Sequence, residues 1–86
     1  MFVMTNGIRE TLSESKKFAK EICVLLKRYL HQDWGDLTEE DKQINDEAYK
    51  NKNNRVLARY ETSQGIVYVI NESYGNITTI LFANEY

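Results

Sequence analysis

The side chains best suited to chemistry lie within residues 31–47. This stretch holds the single histidine, His31, the single tryptophan, Trp34, and the densest run of carboxylates in the chain. Metal binding is one chemistry they could serve, since His31, Asp33, Asp36 and Glu39 offer nitrogen and oxygen donors. One histidine among scattered carboxylates fits neither zinc nor EF-hand spacing, so no metal is expected. Acid–base catalysis is another, since Asp36, Glu39 and Glu40 could divide the roles that paired carboxylates take in sugar hydrolysis. Such an enzyme needs a substrate pocket of roughly 300 Å³ or more. A chain of 86 residues has little room for one, so neither catalysis nor a cofactor is expected. The third chemistry is recognition by charge. Residues 33–47 carry seven acids against one base, Lys42, a local charge of −6, while the remainder carries six acids against ten bases, or +4. Asp33, Trp34, Asp36, Glu39, Glu40, Asp41, Asp46 and Glu47 are therefore the candidate surface for a protein partner with a basic face.

Each of these residues also has a plainer role open to it. Thr38 suits an N-cap, which puts Glu39, Glu40 and Asp41 in the first turn of a helix, where the dipole favours negative charge. Trp34 is either an exposed binding anchor or a plug between helix end and sheet, its indole N–H bonded to a carbonyl. Gly35 permits a turn that a Cβ would resist, and Asp36 could brace that turn through an Asx-type bond. His31 reads as the last residue of a preceding helix, its charge suited to the dipole there.

The elements that must position this stretch follow from periodicity. Phe2-Val3-Met4 could form a short strand, Thr5-Asn6-Gly7 reads as a turn, and Thr11 with Glu14 fits a capping box; Ser13 and Ser15 are alternative caps. Phe18, Ile22, Leu25, Leu26, Tyr29 and Leu30 form an apolar stripe, predicting a helix over about 14–31. Cys23 lies within it and is expected to be a small buried hydrophobe. A second, polar helix is expected over about 39–50, touching the core through Ile44, Ala48 and either Tyr49 or Leu37. The chain then changes period. Alternating and β-branched residues predict strands at about 55–62, 66–72 and 77–82, joined by turns short enough to make an antiparallel meander. The fold class is α+β in one domain, the long helix lying across one face of the sheet.

The whole-chain charge of −2 weighs against binding nucleic acid, which relies on phosphate neutralisation by lysine and arginine. The alternative reading is nevertheless a regulator that stacks bases on a sheet face made of Arg55, Arg59, Tyr60 and Tyr68. A homodimer that buries an edge strand is a third reading. No apolar run approaches the roughly 20 residues that cross a bilayer. The apolar N-terminal residues 1–4 are too few for a signal peptide. A lone cysteine allows no intrachain disulfide and suits a reducing cytoplasm.

Several of these residues fall into a familiar order. Asp33-Trp34-Gly35-Asp36-Leu37, then Glu40-Asp41-Lys42, then Asn45-Asp46-Glu47-Ala48, followed by Arg55 and Tyr60, residues 67–72, Thr78-Thr79-Ile80-Leu81 and Glu85-Tyr86, resembles a family of small plasmid- and phage-related proteins that often carry restriction–modification names. The likeness spans about residues 25–86. Gln32 stands where that family has glycine, Tyr68 where it has tryptophan and Asn84 where it has proline. The resemblance implies no catalytic residues. It implies a mobile-element setting, and with it an anti-defence role such as binding a restriction or CRISPR component.

Overall fold

The computed structural model describes residues 1–52, 55–72 and 77–86. Eight elements follow one another: β1 (Phe2–Met4), α1 (Asn6–Glu14), α2 (Lys16–Leu30), α3 (Glu39–Asn51), β2 (Val56–Thr62), β3 (Gly65–Asn71), β4 (Thr78–Phe82) and a closing 3₁₀ turn (Ala83–Glu85). The α+β class holds, and β2, β3 and β4 form the expected antiparallel meander. Two features differ from expectation. The N-terminal strand pairs parallel to β4, so the sheet is mixed and four-stranded, in the order β1-β4-β3-β2. A third helix, α1, occupies residues read above as a turn and a cap.

The capping chemistry explains the extra helix. Thr5 caps α1, its hydroxyl accepting from Ile8 N–H, and Ser15 caps α2 by accepting from Phe18 N–H. Thr11 is not a cap; its hydroxyl donates to the carbonyl of Gly7 inside α1. Only Ile8 is fully buried along this nine-residue helix, so its hydrophobic period is too faint to stand out in the sequence. The turn expected at residues 73–76 and the loop residues Asn53 and Asn54 lie outside the described residues.

The core forms between α2 and one sheet face. Phe18, Ile22, Leu25 and Tyr29 are buried along α2, and Val56, Ala58, Tyr60, Val67, Val69 and Ile80 rise from the strands to meet them. Burial of an aliphatic or aromatic side chain of this size stabilises by about 1.5–3 kcal/mol. Ile8 and Leu12 of α1 close one end, where Phe18 and Phe82 stack with centroids 5.5 Å apart. Leu30, counted in the apolar stripe, is exposed, and so is Cys23. Both lie on a flank of the helix about 100° or more from the buried direction, given 100° per residue. On α3 the buried residues are Asn45 and Ala48, whereas Ile44 is 51% exposed.

Candidate functional site

The 33–47 segment is built against the outer edge of β2. α2 ends at His31 in a Schellman arrangement. Gln32 takes a left-handed φ of 63° and donates its N–H to Tyr29 C=O, and the Asp33 N–H reaches Arg28 C=O at 2.8 Å. The chain then runs alongside β2. Arg59 N–H donates to Trp34 C=O and Asp36 N–H donates to Arg59 C=O, at 3.0 and 2.7 Å. Gly35 is the residue that makes this possible. Its φ is +82°, and a Cβ there would fall 2.0 Å from the Arg59 carbonyl oxygen.

Two residues further back along β2, Asn45 of α3 continues the same pattern with its side chain. Its amide donates to Leu57 C=O at 2.8 Å and accepts from Leu57 N–H at 3.3 Å. Leu57 and Arg59 are among the β2 residues that turn away from β3, so their backbone groups would otherwise be unpaired on the strand edge. Sequence reasoning missed Asn45. The available signal was a polar residue three positions before Ala48, on the same side of the helix.

Trp34 is 2% exposed. It lies edge-on to Tyr29, with centroids 5.4 Å apart, and against Tyr49 at 5.7 Å. Its indole N–H donates to Asp46 Oδ1 at 2.8 Å rather than to a carbonyl. Of the two roles weighed for it, the packing one is occupied, and a partner cannot touch it. It positions the module instead. The brace around Gly35 comes from Asp33, whose Oδ1 accepts the Gly35 N–H, and not from the Asp36 side chain.

The carboxylates divide into two groups. Asp33 is paired with Arg28 through two hydrogen bonds of 2.8 and 3.2 Å. The bond to Arg28 lowers the Asp33 pKa from the ordinary carboxylate value and raises that of Arg28. Glu39 has a looser contact to Lys42 at 3.7 Å. Asp36, Glu40, Asp41 and Glu47 are exposed and make no ion pair among the described residues. On α3 the helical period places Glu39, Glu40 and Glu47 on the side turned away from Asn45 and Ala48.

The alternative sheet face is split. Arg59 and Tyr68 are register partners and share the face that bears no helix. Tyr60 alternates to the opposite face, is 1% exposed, and donates its hydroxyl to Asp33 C=O. Burial pushes its phenol pKa upward, so it remains a donor. Arg55 joins the open face through Tyr86, donating to the Tyr86 hydroxyl and lying over its ring, and Tyr86 meets Tyr68 edge-on at 5.8 Å.

Two grooves among the described residues lie beside β2. One, of about 350 Å³, runs between α2 and β2, and includes Lys17, Lys20 and Arg28 in its walls; the other, of about 320 Å³, lies between α3 and β2 beside Ile44 and Leu57. Among the described residues no cluster of three or more metal-ligating side chains occurs, no buried polar side-chain atom lacks a partner, and no helix is long and apolar enough to cross a membrane. Comparison of the chain with protein-family models, with curated proteins and with solved structures gives no match.

Proposed function

We propose that this chain is a non-enzymatic binding protein that docks on a basic protein surface through the carboxylates of residues 33–47. The observation that carries the reading is the contrast within that segment. Its backbone and interior are tied down by Trp34, Gly35, Asn45 and Asp46, while Asp36, Glu40, Asp41 and Glu47 stay exposed and make no ion pair among the described residues, Asp36 standing only in the wider field of Arg28. Glu40 and Asp41 also serve the first turn of α3, whereas Asp36 and Glu47 have no such role in the helix. A rigid array of unpaired charge suits rapid, oriented encounter with a surface of opposite sign. The resemblance to plasmid- and phage-related proteins directs the proposal toward a nucleic-acid-handling partner of the host, an anti-restriction or anti-CRISPR role being the pointed form. The basic groove of such a nuclease is a target of the right sign.

The test is affinity capture from bacterial lysate with the native chain and with a triple variant, Asp36→Asn, Glu40→Gln and Glu47→Gln. One specific protein recovered by the native chain, and lost with the variant, is the expected result. Equal recovery of the same protein by both would remove the acidic array from the mechanism. The second reading, nucleic-acid binding, is favoured by the Arg59–Tyr68 pair and the Tyr86–Arg55 contact on one open face. Gel shift at low salt separates the two, since no retardation at high protein concentration disposes of it.

A further inference from the structure

The two edges of the sheet are treated differently by the chain. Along β2, the outward backbone groups of Leu57 and Arg59 are met by Asn45, Trp34 and Asp36. Along β1 nothing comparable is present among the described residues. Thr78 N–H donates to Met1 C=O and Thr5 N–H donates to Ile80 C=O, so residues 1, 3 and 5 turn toward β4 in this parallel ladder. Phe2 and Met4 therefore turn their N–H and C=O groups away from the sheet. Their side chains are 43% and 39% exposed. Phe2 meets Tyr29 edge-on at 6.4 Å, and the next residue of α2, Leu30, is 60% exposed. Among the described residues, the Phe2 and Met4 backbone groups on this edge meet no hydrogen-bond partner, and they lie beside an apolar rim. Of the usual protections of an edge, β1 shows shortness, being three residues long, but it holds no charged side chain, no proline and no bulge.

We infer that β1 is a self-association edge, pairing antiparallel with β1 of a second copy about a two-fold axis through Val3. The outward groups fit that operation. Antiparallel pairing centred on Val3 sets Phe2 opposite Met4 of the second copy. There the Phe2 N–H donates to that Met4 C=O, the Phe2 C=O accepts from that Met4 N–H, and the symmetry repeats both bonds. Val3 then meets its own copy as a non-hydrogen-bonded pair, the closer of the two antiparallel pair types. The interface is isologous, so a charge on the strand would face itself, and the strand carries none. Phe2, Met4 and Leu30 of each copy cover one another on the helix side. Because β2 lies at the other end of the sheet order, the acidic modules end up at opposite extremes of an eight-stranded sheet. The inference does not depend on what those modules bind.

Sedimentation of the full chain tests it. The expected mass is twice 10.1 kDa at sub-millimolar concentration, falling toward the monomer on dilution. Met4→Lys, which puts like charges across the axis, and Met4→Pro, which removes an outward donor without touching the β4 ladder, are each expected to weaken association about tenfold or more. An isotope-filtered NOE between Val3 Hα protons in a half-labelled native sample requires no variant and is expected from the close pair. A monomer at all concentrations would overturn the inference. So would a dimer indifferent to both substitutions, or intermolecular contacts that map to the open sheet face instead.

Discussion

The Trp34 indole and the Asp46 carboxylate are joined by a 2.8 Å hydrogen bond that ties the turn after α2 to the middle of α3. The donor is buried and the acceptor is charged, so the bond is of the stronger kind, worth about 1.5–3 kcal/mol. Trp34→Phe keeps the aromatic packing against Tyr29 and Tyr49 and should lose that amount. Trp34→Ala also loses the packing and should cost about 3–5 kcal/mol, enough to threaten so small a fold. Urea denaturation followed by circular dichroism distinguishes the two, because the variants lack the only tryptophan.

Gly35 permits no side chain for two reasons that act together: a left-handed φ and a carbonyl oxygen 2.0 Å from where Cβ would stand. Gly35→Ala should push the chain away from β2, opening the Arg59 pairing with Trp34 and Asp36. The expected loss is about 2 kcal/mol or more. Amide exchange at Arg59 and Asp36 should accelerate more than exchange in β3, which the β2 edge does not touch. Uniform acceleration would mean that the turn is not a separate unit.

Gln32 occupies a left-handed conformation, φ 63°, at the position of a Schellman motif where glycine is most at ease. Its backbone bonds to Tyr29 are made by any residue. Gln32→Gly should therefore stabilise the chain by roughly 0.5–1 kcal/mol, the cost of a left-handed non-glycine residue. Thermal unfolding checks the sign, which is opposite to that of the usual glycine substitution.

Acid should weaken the joints made by Asp33 and Glu85. The bond to Arg28 holds Asp33 below its ordinary pKa; bonds from Phe82 N–H and then the Thr5 hydroxyl do the same for Glu85. A carboxylate whose folded pKa is depressed adds stability above its unfolded value, and that stability is lost as pH falls through the folded one. The differences between the native chain and Asp33→Asn or Glu85→Gln should be full near neutrality. They should narrow below about pH 4. Both groups are largely exposed, so salt should reduce the Asp33 effect as well.

Much of this architecture was legible in the residues, and the exceptions have physical causes. The stripe on α2 and the alternation of β2 through β4 declare themselves because packing fixes their period. The Thr38 cap is equally plain. β1 was legible as a strand but not in its direction, because parallel pairing with β4 is a contact between chain ends that no local pattern encodes. α1 escaped because Ile8 is its single buried residue and its cap, Thr5, precedes an Asn-Gly pair that reads as a turn. At the site, Gly35 was visible as a turn, whereas the service of Asn45 to Leu57 was not. A side chain standing in for a strand leaves no trace but a polar residue on a buried face. The alternation of β2 alone separates Arg59 from Tyr60, so their placement on opposite faces could have been read directly.

The acidic residues can be sorted by whether the helix needs them. Glu39, Glu40 and Asp41 occupy the first turn of α3 behind the Thr38 cap, where each favours the helix dipole by about 0.3–1 kcal/mol. Asp36 precedes that helix and Glu47 lies two turns into it, beyond the dipole's reach, and neither has an ion-pair partner among the described residues. Glu40→Gln should thus cost stability slightly, whereas Asp36→Asn and Glu47→Gln should fall within about 0.5 kcal/mol of the native chain. If the array exists to meet a basic partner, these last two should lower affinity and flatten its dependence on ionic strength all the same. Titration of the captured partner at two salt concentrations measures both quantities. Unchanged affinity for the Asp36 and Glu47 variants, with a loss confined to Glu40, would reduce the acidic surface to the opening turn of a helix.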